Sequence, residues 1–346
     1  MIDLFVTEKA FRSLISKGPD SRWYNIIIKY LNKIYIYASK AEIDNLYEEP
    51  PETSEIGILL KSYSIQFVSS ISIIDEIMND HSVILNYPSG IFFMNISAGD
   101  AKSIQKDYGV ICKNEDDTDT NILDEEKEIS CINNDKRHDW KEFFKEIANS
   151  PTNSIIICDR YLFSNDDTRN TNGQDNLIDI LDSILPKSFK GEYHILLLCS
   201  DIKNNDFNKL SKSLHDNIKK LRRYRILFEM VQISSGQLYY ENTHNRRIIT
   251  NYHVIRAEHK FNAMNNGKWN CSQVINWDML FSKGLTDKSD APYISHNILV
   301  NDIKEITKYG TDHSKTCGYS YSNNGVRTEK DGQIIFSGIE NRLIKQ

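Results

Sequence analysis

The residues best suited to chemistry follow one another in the pattern His244-x-Arg246-x4-Asn251. Apolar and polar residues alternate around them, which predicts a strand carrying His244 and Arg246 on one side. A guanidinium beside an imidazole can hold a phosphate, because the cation offsets the charge on the phosphoryl oxygens. The neutral imidazole could attack phosphorus or carry a proton, and the asparagine amide could donate a further hydrogen bond. The pattern therefore predicts a phosphate site built from these three residues.

Basic residues on both sides of this pattern could extend the site along a polyanion. They lie at the end of a predicted helix and in the strands after it: Lys219, Lys220, Arg222, Arg223, Arg247 and Arg256. Interleaved tyrosines such as Tyr224 and Tyr252 could stack on bases. The alternative is a solvated helix face whose basic end complements the helix dipole.

Residues 138–262 contain the elements that must position these side chains. Buried-strand patterns such as SIIICDRYLF, EYHILLLCS and RILFEMVQI alternate with helical patterns such as DNLIDILDSIL. Continuous apolar strands separated by helices predict a mainly parallel sheet with helices on both faces. The predicted fold class of the chain is α/β.

The order of these elements resembles the phospholipase-D-like fold, closest to the C-terminal domain of MIT-domain proteins. In that variant a strand of type I-x-D-x-Y opens the domain and an H-D-R-x-I element closes it. The matching residues are Asp159, Arg160 and Tyr161 at the first element and His244 to Ile248 at the second. The resemblance covers about a third of the chain. It implies a mixed sheet and a phosphate pocket to which Asp159 and Arg160 contribute.

The sequence departs from the catalytic pattern of that fold, which is H-x-K-x4-D followed by a Gly-Ser pair. Arg246 replaces the lysine, Asn251 replaces the aspartate, and Glu258 and His259 occupy the Gly-Ser positions. Active members join two motifs, with one histidine as nucleophile and the other as general acid. This chain shows one convincing motif, so catalysis would need a homodimer or another histidine of the chain.

Residues 1–112 predict a separate α/β domain that offers carboxylates as its chemical groups. Asp3 lies in the first element, and Asp44 and Glu48 share one face of a predicted helix. Clustered carboxylates can hold Mg²⁺, so these three are weak metal candidates. A strand-start aspartate with a helical glutamate faintly resembles PIN-type ribonucleases, although the later aspartate pair of those enzymes is missing. This domain is also a candidate surface for a partner protein.

Two further segments complete the predicted organisation. Residues 113–137 are acidic and nearly lack an apolar period, which predicts a solvated linker. Residues 263–346 are rich in Asn, Ser, Gly and Lys, and they predict an extension that could pack on the second domain. The chain is therefore expected to hold two domains, 1–112 and 138–262, joined by the linker.

Composition limits the function classes. The 346 residues carry 42 Lys+Arg against 48 Asp+Glu, a net charge of −6, so any polyanion must bind a local patch. No apolar run is long enough to span a membrane. The six cysteines show no zinc spacing, which indicates a reduced, cytoplasmic protein. Nucleotide-binding, acyl-transfer and zinc-protease motifs are absent, so no cofactor is predicted.

Three function classes remain open from the sequence. The preferred hypothesis is recognition of a phosphodiester such as nucleic acid, with metal-independent cleavage through attack by His244 as a further expectation. By analogy with its family, such a chain could belong to a bacterial defence or mobile-element system. The first alternative is a non-catalytic module that binds phosphate, nucleic acid or a lipid head group, and the Arg246 and Asn251 replacements favour it. The second is a protein-interaction subunit of a larger complex.

Overall fold

The computed structural model describes most of the chain and divides it into two compact units, Met1–Asp124 and Glu125–Lys345. The described residues are 2–31, 33–121, 126–134, 139–145, 150–164, 166, 171–200, 202, 206–265, 267–282, 292–313, 317–327, 329–330, 333–334 and 338–345. Both units combine helices with a sheet, so the predicted α/β class is confirmed.

The first unit is built on a five-stranded parallel sheet. Its strands are β1 (Leu4–Val6), β2 (Lys33–Ile36), β3 (Gln66–Ser69), β4 (Ile91–Met94) and β5 (Ile111–Asn114). They lie in the order β3-β2-β1-β4-β5. The central strands β1 and β4 are buried throughout, as expected for parallel strands covered on both faces.

Six helices connect these strands: α1 (Glu8–Ile15), α2 (Arg22–Tyr30), α3 (Lys40–Tyr47), α4 (Glu55–Ser62), α5 (Ile71–Asn79) and α6 (Ala98–Tyr108). Local sequence signals define their ends. Thr7 caps α1 by accepting a hydrogen bond from the Ala10 amide, and Ser39 with Glu42 forms a capping box at α3. Gly109, with a φ of 61°, ends α6 where a left-handed residue is required, as its sequence predicts.

The second unit contains a nine-stranded mixed sheet. Its first six strands are β6 (Glu126–Cys131), β7 (Ser154–Cys158), β8 (Glu192–Cys199), β9 (Arg225–Ile233), β10 (Arg247–Thr250) and β11 (His253–Ala257). A separate small hairpin follows, formed by β12 (Met264–Asn265) and β13 (Lys268–Trp269). The last three strands of the sheet are β14 (Gln273–Met279), β15 (Tyr319–Asn323) and β16 (Val326–Arg327). A further short pair is β17 (Glu329–Lys330) and β18 (Gln333–Ile334).

The strand order of this sheet is β16-β15-β9-β8-β7-β10-β11-β14-β6. The central strands β7, β8 and β9 run parallel, and the remaining pairings are antiparallel. The helices of this unit are α7 (Trp140–Phe144), α8 (Asn172–Ile184), α9 (Phe207–Ile218) and α10 (Pro292–Asp312). The apolar face of α8 is buried, as its periodicity predicts, through Leu177, Ile180, Leu181 and Ile184.

The predicted linker and extension both contribute strands to this sheet. Within the segment predicted as linker, Glu126–Cys131 forms the edge strand β6, which pairs with β14. Charged exposed residues are typical of edge strands, so the acidic composition of 113–137 concealed one. Residues 263–346 supply β14, β15 and α10, so the unit extends well past residue 262. Linker residues 122–125 and 135–137, and residue 138 after them, lie outside the described part of the chain.

The cysteines and the helices agree with two narrower sequence predictions. All six cysteines are free, and Cys158 and Cys199 are buried in β7 and β8 as expected for core residues. Among the described residues, no helix has both the length and the apolar character needed to cross a bilayer.

Candidate functional site

The candidate site lies at the carboxyl ends of β7 and β8, where the connection from β9 to β10 crosses them. Thr243, which is fully buried, fixes this connection in place. Its carbonyl accepts a hydrogen bond from the Arg160 amide (2.9 Å), and its hydroxyl lies 2.9 Å from the hydroxyl of Ser200. The same hydroxyl donates to the Tyr240 carbonyl (2.6 Å). Because Thr243 is anchored to both strands, the position of His244 relative to the sheet edge is set.

His244 and Arg246 lie side by side at this edge. Nη1 of Arg246 is 3.3 Å from Nε2 of His244. The imidazole is exposed, and the guanidinium is half-buried. Nε of Arg246 is shielded from solvent and has no hydrogen-bond partner among the described residues. One cationic and one potentially cationic group therefore meet at the surface, and the Nε donor behind them is buried without a partner among the described residues.

The reason for this proximity differs from the sequence prediction. His244 ends a 3₁₀-helical turn, Glu241–His244, and β10 begins only at Arg247. The prediction that both side chains extend from one face of a strand is therefore wrong for His244. The turn, rather than strand alternation, brings the imidazole to the guanidinium.

The imidazole of His244 is held toward its neutral form. Burial lowers its pKa, and the positive charges of Arg246 and Arg160 lower it further, against an opposing effect of Glu241. A neutral ring can present Nε2 as the acceptor facing Arg246, with the proton on the other nitrogen. An anion bound between the two side chains would reverse this preference, since it stabilises the protonated ring.

Arg160 supports the site but is already committed to other groups. Its Nη2 donates to the Tyr240 carbonyl and to Oε2 of Glu241, each at 3.0 Å. Its guanidinium also lies 4.1 Å from the centroid of the Tyr240 ring. The neighbouring Tyr161 ring meets the His244 ring edge-on at 5.9 Å. Arg160 therefore holds the connection down and adds positive potential rather than a free donor.

Asp159 is an internal anchor beneath the site. Its side chain is completely buried, and its two oxygens accept hydrogen bonds from the amides of Tyr161 and Phe261, each at 2.9 Å. Burial raises its pKa to about 6, although these two amides and the charges of Arg246 and Lys260 act in the opposite direction. Asp159 thus ties the loop after β11 to the end of β7, and the half-buried Lys260 of that loop acts on Asp159 through its charge.

Asn251 is not brought to this site. It follows β10 at the far end of that strand, is completely buried, and accepts a hydrogen bond from the Asn153 amide (3.2 Å) through Oδ1. The four residues of β10 lie between Arg246 and Asn251, which separates them by roughly 16 Å at about 3.3 Å per residue. In this protein Asn251 binds the start of β7.

Arg247 and Arg256 face away from Arg246. The Arg246 carbonyl accepts a hydrogen bond from the Ala257 amide (3.2 Å), so the extended backbone of β10 reaches back to Arg246, and successive residues alternate between faces. Arg247 pairs directly with Arg256 across β10 and β11. Nη2 of Arg256 donates to Oδ2 of Asp278 at 2.7 Å. Burial lowers the pKa of Arg247, with a further contribution from the charge of Arg256. The two residues therefore belong to the other surface of the sheet.

The basic residues before β9 lie at the opposite edge of the sheet, at the amino ends of the parallel strands, whereas His244 lies at the carboxyl ends of β7 and β8. These basic residues are Lys219, Lys220, Arg222 and Arg223. Arg222 is a structural residue: it donates to the carbonyls of Leu185 and Pro186 and to a carboxylate oxygen of Asp182 (2.6 Å). It thus stabilises the end of α8. Lys219 pairs with Asp216, whereas Lys220 and Arg223 are exposed.

The weak metal candidates of the first unit are also dispersed. Asp3 precedes β1 at the amino edge of the sheet, and burial raises its pKa. Asp44 is exposed on α3, and Glu48 is the exposed C-cap of that helix. No group of three or more His, Cys, Asp or Glu side chains that could hold a metal ion occurs among the described residues.

The two-motif mechanism needs a second histidine in contact with His244, and this element is missing among the described residues of the site. Within the described part of one chain, no other histidine is in hydrogen-bond or ring contact with His244. Sequence patterns gave no indication of three other residues near the site, Thr243, Ser200 and Lys260. Ser200 could have been found as the polar residue ending a buried strand, but the long-range contacts of Thr243 leave no local signal.

Comparison with known proteins does not assign the chain to a family. No protein-family model matches it, and no curated protein matches it. The resemblance to the phospholipase-D-like fold therefore depends on the motif residues and the element order. The function has to be argued from the geometry of the site.

Proposed function

We propose that the second unit is a phospholipase-D-like domain that binds a phosphodiester group between His244 and Arg246. The observation that carries the proposal is the 3.3 Å contact between their side chains at the surface, with Nε of Arg246 lacking a partner among the described residues. A phosphodiester oxygen could accept from Arg246, and a second oxygen could accept from protonated His244. The half-buried Lys260, whose charge acts on the Asp159 carboxyl beneath the site, adds positive potential.

Recognition fits this geometry better than cleavage. If His244 attacked phosphorus, a P–N bond would form, a P–O bond would break, and the leaving oxygen would need a proton. The two-motif arrangement takes that proton from a second histidine, and no other described histidine is in hydrogen-bond or ring contact with His244. Asn251 lies at the far end of β10 as well. A binding module is therefore the first candidate, and cleavage by two associated copies is the second, favoured by the lowered pKa of the His244 imidazole.

Replacement of Arg246 is the direct test. Arg246→Gln should weaken binding of a fluorescein-labelled 12-nucleotide single strand at least tenfold, since a charged hydrogen-bond donor to phosphate is lost; tenfold corresponds to about 1.4 kcal/mol. Fluorescence anisotropy gives the Kd, and vesicles containing a phosphoinositide provide a parallel assay for a lipid phosphodiester. The matched control is Arg223→Gln, an exposed arginine at the opposite edge of the sheet, which should change the Kd less than about twofold.

The outcomes separate the function classes. If Arg246→Gln, but not Arg223→Gln, loses binding to the oligonucleotide, the ligand is a nucleic acid. If Arg246→Gln instead loses binding to the vesicles, the ligand is a lipid head group. If neither probe binds the wild-type chain, or if both variants bind like the wild type, the phosphodiester site is excluded. Cleavage products from the labelled strand would favour the second candidate. The thermal transition of each variant shows whether the unit is folded.

Protonation of His244 should make binding depend on pH. Because its pKa is lowered in the free protein and a bound anion raises it, lowering the pH from 8 to 5 should strengthen binding several-fold. His244→Gln should bind more weakly at pH 5 and lose most of this pH dependence. His313→Gln, at the exposed end of α10, should retain the wild-type profile. An unchanged pH profile in His244→Gln would remove the imidazole from the binding site.

A further inference from the structure

The first unit has a crevice at the carboxyl edge of its sheet. In the order β3-β2-β1-β4-β5, the chain leaves β1 toward β2 on one side and returns from β3 to β4 on the other. The connections after β1 and β4 therefore diverge, which makes this edge a topological switch point. Ligands of open parallel sheets bind in the crevice at such a point.

A cavity of about 200 Å³ occupies this position. Thr7, Tyr37 and Asn95 line it, and they immediately follow β1, β2 and β4. Phe93 and Met78 contribute apolar walls. The volume is below the range of about 300–1,000 Å³ that is usual for drug-sized ligands, so the occupant is a single small ring system.

The polar groups of the cavity define the chemistry of that occupant. The hydroxyl of Tyr37 donates to Oδ1 of Asp75 at 2.9 Å, which leaves the other carboxylate oxygen as an acceptor without a partner among the described residues. The Asn95 amide likewise makes no hydrogen bond with a described residue. Thr7 is committed, because its hydroxyl accepts from the Ala10 amide and donates to Glu115.

These groups favour a neutral, amino-substituted ring over an anion. Asp75 is the charged residue of the lining, and a negative ligand would be repelled by it. An amino group can donate to the free carboxylate oxygen of Asp75. An asparagine amide matches the adjacent amino group and ring nitrogen of adenine with two hydrogen bonds. Tyr37 and Met78, both partly exposed, can cover the faces of a flat ring.

We propose that this cavity binds an adenine ring, with Asp75 and Asn95 reading its amino edge. The site belongs to the first unit and is independent of the phosphodiester site of the second. Either proposal can therefore fail without the other.

The test compares adenosine with inosine, which carries an oxygen in place of the amino group. Calorimetric titration of the full chain should give saturable adenosine binding, with inosine at least tenfold weaker. Asp75→Asn should weaken adenosine binding at least tenfold and reduce the discrimination between the two nucleosides. Glu76→Gln is the matched control, because Glu76 is the next residue of α5, is exposed and does not line the cavity. Its Kd for adenosine should stay within twofold of the wild-type value.

The proposal is overturned by the absence of saturable adenosine binding, by equal binding of inosine, or by wild-type affinity in Asp75→Asn. A second variant, Met78→Trp, fills the cavity from its exposed rim and should also abolish binding. Because Met78 is 45% exposed, this variant is expected to fold, and its thermal transition verifies that. Retained adenosine binding in a folded Met78→Trp protein would place the nucleoside elsewhere.

Discussion

A chain that ends at residue 337 should fail to fold its second unit. The C-terminal segment, residues 338–345, crosses the three parallel strands and buries Ile339, Leu343 and Ile344. Each buried aliphatic side chain contributes about 1.5–3 kcal/mol, so their combined loss approaches the 5–15 kcal/mol that stabilises a typical domain. Thermal unfolding followed by circular dichroism, together with limited proteolysis, should show a second unit that no longer melts cooperatively.

Hydrogen bonds add to this effect. Asn341, which is fully buried, accepts from the Ser154 hydroxyl (2.9 Å) and donates to the Ile155 carbonyl (3.1 Å). The Arg342 amide donates to Nδ1 of His194 at 3.2 Å. Truncation would remove these hydrogen bonds, each of which contributes about 0.5–1.5 kcal/mol net.

Two variants show whether the segment itself is responsible. Removal of residues 345 and 346 alone should leave stability within about 0.5 kcal/mol, because Lys345 is exposed. Asn341→Ala should destabilise the second unit by about 2–4 kcal/mol without removing apolar contacts. A cooperative, wild-type transition in the chain ending at residue 337 would show that the C-terminal segment is dispensable.

Glu229→Gln should stabilise the protein increasingly as the pH rises. Glu229 lies in β9 and is completely buried, and burial raises its pKa from about 4.5 to about 7, with a smaller contribution from the charge of Glu340. Hydrogen bonds to Oε1 from the Tyr321 hydroxyl (2.6 Å) and the Glu340 amide (2.7 Å) oppose that shift. Oε2 is buried and has no hydrogen-bond partner among the described residues. The glutamate is therefore accommodated best when it is protonated.

The direction of this pH dependence follows from the linkage between proton binding and folding. Between pH 4.5 and 7 the unfolded chain has released the proton of Glu229 while the folded chain retains it, so unfolding releases a proton and becomes more favourable as the pH rises. A shift of this size corresponds to about 3 kcal/mol, since each pKa unit contributes about 1.36 kcal/mol. Glutamine does not titrate, so the stability difference between variant and wild type should grow by that amount and level off above pH 7.

Urea denaturation at pH 4.5, 6, 7 and 8 measures this difference directly. Comparing variant with wild type cancels the titration of all other groups, including Asp159. Repeating the series in 0.5 M NaCl should leave the difference nearly unchanged, because salt screens buried charges weakly. A difference that stays constant across the pH range would contradict the assignment of a protonated Glu229.

Local patterns predicted much of the secondary structure, because burial and capping are written into neighbouring residues. The strand at Ser154–Cys158 and the helix ended by Gly109 were both predictable from the sequence. The adjacency of His244 and Arg246 was predictable as well, although the turn that produces it was not. Arg222 shows the limit: its sequence neighbours suggest a polyanion surface, yet distant carbonyl groups near the end of α8 occupy it.

Contacts between distant segments explain what sequence patterns missed. The acidic composition of β6 predicts a solvent-exposed loop. Only its pairing with β14 makes this segment part of the sheet. The C-terminal segment has too few apolar residues to predict an element of its own. The crevice at β1 and β4 depends on strand order, which no local pattern reveals.

The bond between Ser154 and Asn341 joins residues 187 positions apart, and it constrains how the protein can emerge from the ribosome. The first unit depends on contacts within its own 124 residues and can form while translation continues. The second unit has to wait until Asn341 has left the exit tunnel. Until then the hydrogen bonds between Asn341 and β7 cannot form, so the second unit completes its folding only after nearly all of its residues have been synthesised.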